Sequence, residues 1–228
     1  QFQLLGLKTG PGQSSYFQEV QLNRIFSATE AVFSIDTAQF RLTSDILVFE
    51  AIDSDLQKEV VYVGYGTPAD FDKVDVAGKI VVALAGTPQT KTAVDALLND
   101  APAKRELASG RNAAALIEIM ALPGVPWPGL VRFLSSTKMN VQNEKALRMP
   151  HLLMRNTDHA SIRLLQEKRS ASGRLKIQIP AAELVRSKNV IGVVEGTDPK
   201  LKNEWIAVSA HYDHVGVKKN QSADSIFN

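Results

Sequence analysis

The chain has no cysteine among its 228 residues. That excludes disulfides and every thiolate metal site, so any bound metal must be held through His, Asp or Glu. Long apolar runs are also missing. The stretch from Ala113 to Val125 is broken by Glu118, Pro123 and Gly124, well short of the roughly 20 apolar residues of a membrane span. Neither sign of charge dominates. Lys+Arg 26 against Asp+Glu 24 leaves +2, which gives no reason to expect a nucleic-acid or membrane partner. Repeats and low-complexity tracts are absent. There is no Gly-x-Ser-x-Gly for a nucleophilic serine, no His-Glu-x-x-His and no phosphate loop. Gly64-Tyr65-Gly66 fails as a dinucleotide turn, because position 69 is Ala and Pro68 breaks the segment before a helix can open. The chain starts at Gln1 without Met, so the lack of a visible leader carries little information.

What is present is an ordinary globular composition, hydrophobic 44% and charged 22%, in a chain long enough for one large domain or two modest ones. Strands are expected at Phe17 to Leu22, Asp45 to Glu50, the β-branched run at Val60 to Val63, and Ile80 to Leu84. Lys91 to Asn99 and Ala101 to Ser109 read as helical, with Gly110 suited to a helix end. Ala113 to Met120 is apolar but too short to assign by period. Leu122 to Pro128, with three prolines, reads as loop. His151 to Met154 reads as a strand. Asp158 is placed to cap a helix through Glu167 that ends near Gly173, and Leu175 to Ile179 alternates as a strand. Asn189 to Val194 is read as a strand, Gly196 to Pro199 as a turn, and Trp205 to Ala210 as a second strand, apolar enough to be central in a sheet.

That last run leads into His211-Tyr212-Asp213-His214. Side chains two apart on an extended segment share a face, so His211 and Asp213 can meet one site, whereas His214 points away from it. A neutral imidazole is a good zinc ligand, and an adjacent carboxylate fixes which ring nitrogen faces the metal. On spacing alone, a histidine satisfied by a nearby carboxylate is the commoner case. His151 and His159 read as structural or surface histidines. Arg163 to Arg174 reads as the solvated face of a helix. Asp224 is a loop carboxylate or a group approaching the metal, and the first is favoured. Trp127, between two prolines, is an exposed anchor or pinned loop packing.

The run Asn189 to Pro199 followed by Ser209-Ala210-His211-Tyr212-Asp213-His214-Val215-Gly216 resembles metallopeptidase family 28, the two-zinc aminopeptidases and carboxypeptidases. Gly6-Leu7-Lys8 and Tyr16 to Val20 are similar to the start of such enzymes. Val63 to Gly66, Val74 to Lys79 and the Lys104 to Gly110 helix resemble the protease-associated domain inserted in many members. The resemblance implies an α/β fold. Residues 1–44 and 184–228 would form an incomplete zinc peptidase domain, and 45–183 a β-rich protease-associated insert. It implies that His211 is a zinc ligand and that Asp213 is the carboxylate orienting it. Two zinc ions would serve the complete enzyme. The remaining acidic ligands, a second His and the general-base Glu are expected beyond Asn228, so the chain is read as an N-terminal portion, inactive by itself. The implied substrate is a peptide shortened from its N-terminus, and the implied location is periplasmic or extracellular. The alternative is a non-catalytic protease-associated module that binds a peptide or protein.

Overall fold

The β-branched and apolar runs at Val60–Tyr62, Ile80–Leu84 and Ala115–Met120 cannot be left in water, and parallel pairing side by side buries both their faces. They form the centre of the computed structural model, which describes residues 1–141, 149–156 and 159–211. In chain order the strands are β1 Phe17–Ile25, β2 Glu30–Ile35, β3 Ala38–Arg41, β4 Ile46–Glu50, β5 Ser54–Tyr62, β6 Ile80–Leu84, β7 Ala115–Met120, β8 Lys138–Val141, β9 His151–Arg155, β10 Ser170–Gln178 and β11 Glu183–Val190. The helices are α1 Pro68–Phe71, α2 Ala93–Asp95, α3 Ala101–Gly110, α4 Trp127–Leu134 and α5 Ala160–Lys168, with a π-helical turn Ala96–Asp100 joining α2 to α3. The fold class is α/β, as the sequence implied. No helix among the described residues is long and apolar enough to cross a membrane.

The chain divides into two compact units, Val20–Ser187 and Gln1–Glu19 with Lys188–Asn228. The larger unit carries an eight-stranded sheet of order β3-β2-β10-β5-β6-β7-β9-β4. Strands β5, β6, β7 and β9 are parallel neighbours, and the flanking strands pair antiparallel. Alternation along the parallel strands sends Val60, Ile80, Val82, Ile117 and Leu152 to one face, with Ile162 and Leu165 of α5. The opposite face packs Val61, Val81 and Leu116 against Phe71 and Ala108, and Leu153 against Leu97 and Leu130.

The compact units divide at 19/20 and 187/188. The reason is long-range pairing: β2 and β3 belong to the sheet of the larger unit, Phe33 opposite Leu175 and Phe40 opposite Phe33. Several expectations need correcting. Helix α5 ends at Lys168, not near Gly173. Arg169 takes a left-handed φ of 68° that stops it. Gly173 lies within β10, where a Cβ would come 2.3 Å from Val60 Cγ2 and 2.8 Å from the Ser34 carbonyl oxygen. The stretch from Leu122 is loop only as far as Pro126, because Trp127 and Pro128 open α4. The strand expected at Asn189 to Val194 is instead β11, ending at Val190, followed by an isolated Lys8–Val193 bridge.

The largest departure is Trp205 to Ala210. These residues form no strand and are exposed. An apolar run encodes a demand for burial, but the partner edge that would satisfy it is not local information. The expected capping residue Asp158 lies outside the described residues, and His159 takes the cap, its Nδ1 accepting from the Ser161 amide at 3.2 Å.

Candidate functional site

The smaller unit is built from its two chain segments. Lys8 and Val193 exchange backbone hydrogen bonds of 2.9 Å, and the Ile191 amide donates to the Tyr16 carbonyl at 2.8 Å. The Tyr16 hydroxyl donates to the Leu7 carbonyl at 2.5 Å, while its ring meets Phe2 edge-on, centroids 5.9 Å apart. Gly192 is required where the segments close: a Cβ there would fall 2.5 Å from Leu7 Cδ2 and 2.7 Å from Phe2 Cδ2. The turn predicted at Gly196 to Pro199 is held by Asp198, whose carboxylate accepts from the Lys200 and Leu201 amides at 2.7 and 3.0 Å.

Past this turn the chain runs through Trp205 to Ala210 and reaches His211. His211 is exposed and stands at the rim of a cavity of about 690 Å³, whose other walls include Phe2, Ile191, Gly192 and Val208. Asn189 and Gln18 also line it, the Asn189 side-chain amide donating to Gln18 Oε1 at 3.0 Å. His211 is therefore reachable from solvent. Asp213, the carboxylate expected to orient it, lies outside the described residues, as do His214 and Asp224. Among the described residues no three His, Asp or Glu side chains converge to hold a metal. A catalytic zinc takes three protein ligands, so the described donor set does not by itself fit zinc.

The other two described histidines, His151 and His159, have structural places. His151 is in the core of the larger unit, in a charged cluster that sequence reasoning did not find. Glu118 sits on β7, in register with Ala83 and Leu153. Its Oε1 is 2.8 Å from His151 Nε2 and its Oε2 is 2.5 Å from Lys104 Nζ. Lys104, on α3, also donates to the carbonyls of Leu84 at 2.7 Å and Gly86 at 3.1 Å. All three side chains are buried. Burial alone would push the Glu118 carboxyl up. The hydrogen bond from His151 and the Lys104 ammonium outweigh that and hold it below the usual carboxylate range. An ionised carboxylate only accepts, so His151 Nε2 carries the proton, and Nδ1 is left buried without a partner among the described residues. The one available signal was Glu118 itself, a carboxylate inside an apolar run.

Trp127 resolves to packing. Its Nε1 donates to the Thr43 carbonyl at 2.7 Å, and its ring lies against the cluster of Leu47 and Leu130. In the basic stretch, Arg174 forms a two-point pair with Asp55 at 2.8 and 2.7 Å, and Arg169 lies over the Tyr62 ring. That hydrogen bond holds the Asp55 carboxyl below its ordinary value. Gly64-Tyr65-Gly66 leads to a four-residue helix closed by a reciprocal Thr67–Asp70 cap, which is self-sufficient and not a phosphate cradle.

No family model matches the chain, and no curated protein does. Solved structures do match. The aminopeptidase from Aneurinibacillus sp. strain AM-1 superposes with a TM-score of 0.50 at 20% identity, over 87% of this chain and 41% of that one. BSAP, a zinc aminopeptidase from Bacillus subtilis, gives 0.43 at 16% identity, over 86% and 39%. A peptidase M28 precursor from Shewanella amazonensis gives 0.41 at 14% identity, over 86% and 43%. The chain thus spans about two-fifths of the length of these proteins. At such identity the match speaks for fold alone, and that fold is the one carried by the corresponding part of the Aneurinibacillus aminopeptidase.

Proposed function

We propose that the chain is part of a zinc-dependent aminopeptidase that removes N-terminal residues from peptides. In this reading His211 is one ligand of a two-zinc centre, and Asp213 is the carboxylate that sets its tautomer. Val20–Ser187 acts as a protease-associated insert that limits or selects what reaches the centre. The observation that carries the reading is the agreement of two independent features. The fold is shared with a solved aminopeptidase. The His-x-Asp pair follows an apolar run, in the context of Asn189 to Gly216, that resembles zinc exopeptidases.

Among the described residues this reading assigns one ligand, His211, where a catalytic zinc takes three, so the chain by itself is expected to be inactive. The reading is tested on protein expressed from its whole reading frame. Matched peptides with a free and an acetylated N-terminus are incubated, and the released amino acid is measured. An aminopeptidase consumes only the free amine. Equal cleavage of both, or cleavage inside the peptide, contradicts the assignment.

A second reading, a peptide-binding module, is favoured by one feature of the larger unit. At the carboxyl ends of β5 and β6, a cavity of about 280 Å³ opens between Thr67, Thr87, Asp100 and Leu107, the end of a parallel sheet where ligands settle. Peptide binding by Val20–Ser187 without any hydrolysis by the whole protein would favour it.

A further inference from the structure

We propose that the cavity at the carboxyl ends of β5 and β6 takes a lysine side chain of a bound peptide. All its lining residues lie between Gly66 and Leu107, inside the larger unit. Lys104 forms part of the wall, and its ammonium has three protons to give. All three are taken, by Glu118 Oε2 and by the carbonyls of Leu84 and Gly86. Lys104 therefore offers the cavity an aliphatic stem and no free donor, beside Pro68, Ala103 and Leu107.

The hydroxyl protons are committed as well. Thr67 Oγ1 donates to Asp70 Oδ2 at 2.8 Å, and Thr90 Oγ1 donates to Asp100 Oδ2 at 2.6 Å. A hydroxyl has one proton, so the 2.9 Å contact between Thr87 Oγ1 and Thr90 Oγ1 is donated by Thr87. The Thr67 and Thr87 amides are also used, donating to Asp70 Oδ2 at 3.1 Å and Thr90 Oγ1 at 2.9 Å. Thr67, Thr87 and Asp100 thus present lone pairs. Asp100 adds a carboxylate that forms no ion pair among the described residues. Acceptors without donors, one of them charged, on an otherwise apolar wall are the complement of an ammonium on an alkyl stem. At about 280 Å³ the cavity is just below the roughly 300 Å³ at which small-molecule sites begin, which suits one side chain. The proposal rests on the peptide recognition assigned above to Val20–Ser187, as selecting insert or as binding module. It needs neither zinc nor hydrolysis.

The test is titration of the whole 228-residue chain, isotope-labelled, with acetyl-Ala-Lys-Ala-amide, followed by the backbone amide resonances of Thr67, Thr87 and Ala103. These should shift and saturate. Acetylating the lysine amine, or replacing the lysine by norleucine, should weaken binding at least about tenfold, the scale of a charge-assisted hydrogen bond. Asp100→Asn keeps an acceptor for Thr90 and should bring the same loss. Ala103→Lys, at an exposed position on the wall, sets a competing ammonium there and should also abolish binding. Glu106→Gln, exposed on the same helix but outside the cavity, should bind like the wild type. Unmoved amides with the lysine peptide, or equal binding of the norleucine peptide, overturns the proposal. So does equal binding of Ala-Ala-Ala-amide, whose ammonium is its own amino terminus. Release of N-terminal residues by the whole protein alongside such a result would remove this inference and leave the peptidase reading standing.

Discussion

Glu118 shows how much one side chain can hold in this fold. It ties helix α3, the end of β6 and strand β9 together through Lys104 and His151, away from water. Removing one member of a buried ion pair leaves the other charge uncompensated. Glu118→Gln is therefore expected to cost about 3–5 kcal/mol at neutral pH, read by urea unfolding. The pH dependence follows from its lowered folded-state value. A carboxyl with a depressed folded pKa contributes stability above its unfolded value and loses it as pH falls through the folded one. The gap between wild type and Glu118→Gln should thus narrow as pH drops below the ordinary glutamate value of about 4.3. A gap constant from neutral pH to strong acid would contradict this origin. The sequence showed Glu118 only as an interruption. Lys104 is 14 residues away and His151 is 33 away, and nothing in local spacing says that they converge. The reading of His211 rests on consecutive residues, a histidine at the end of an apolar run, and needs no long-range contact to be made.

Elements whose burial is settled by their own alternation were legible. Strands β4, β6 and β9 and helix α3 lie where their patterns put them, since each carries its own apolar face. Strands β2, β3 and β8 were missed, being short or mixed in polarity and stabilised by partners distant in sequence. Trp205 to Ala210 is the converse, a run with strand chemistry and no ladder among the described residues. Burial separates the two cases energetically. Ile117, fully buried on β7, should cost about 2–5 kcal/mol on replacement by Ala. Ile206→Ala should change the unfolding free energy by less than about 0.5 kcal/mol at dilute concentration. Comparable losses at both positions would mean that the exposed segment is packed in solution.

At the scale of the whole molecule, the two compact units differ in self-sufficiency. Val20–Ser187 contains the eight-stranded sheet and its buried clusters, so expressed alone it should unfold in one cooperative urea transition. A non-cooperative, denaturant-insensitive signal would show that it depends on the smaller unit. Gln1–Glu19 with Lys188–Asn228 holds His211. Sheet membership of β2 and β3 is decided by pairing with β10, which no local motif announces.

Chelation is the decisive experiment for the proposed role of His211 as a zinc ligand. Protein from the whole reading frame should release N-terminal residues from a peptide amide, lose that activity to a chelator and regain it with added zinc. His211→Ala, folded by circular dichroism, should bind less zinc per chain by elemental analysis and lose more in kcat/KM than the roughly 10–100-fold that loss of an orienting partner costs. Activity indifferent to the chelator, or a His211→Ala variant with unchanged zinc content and rate, would rule out that role.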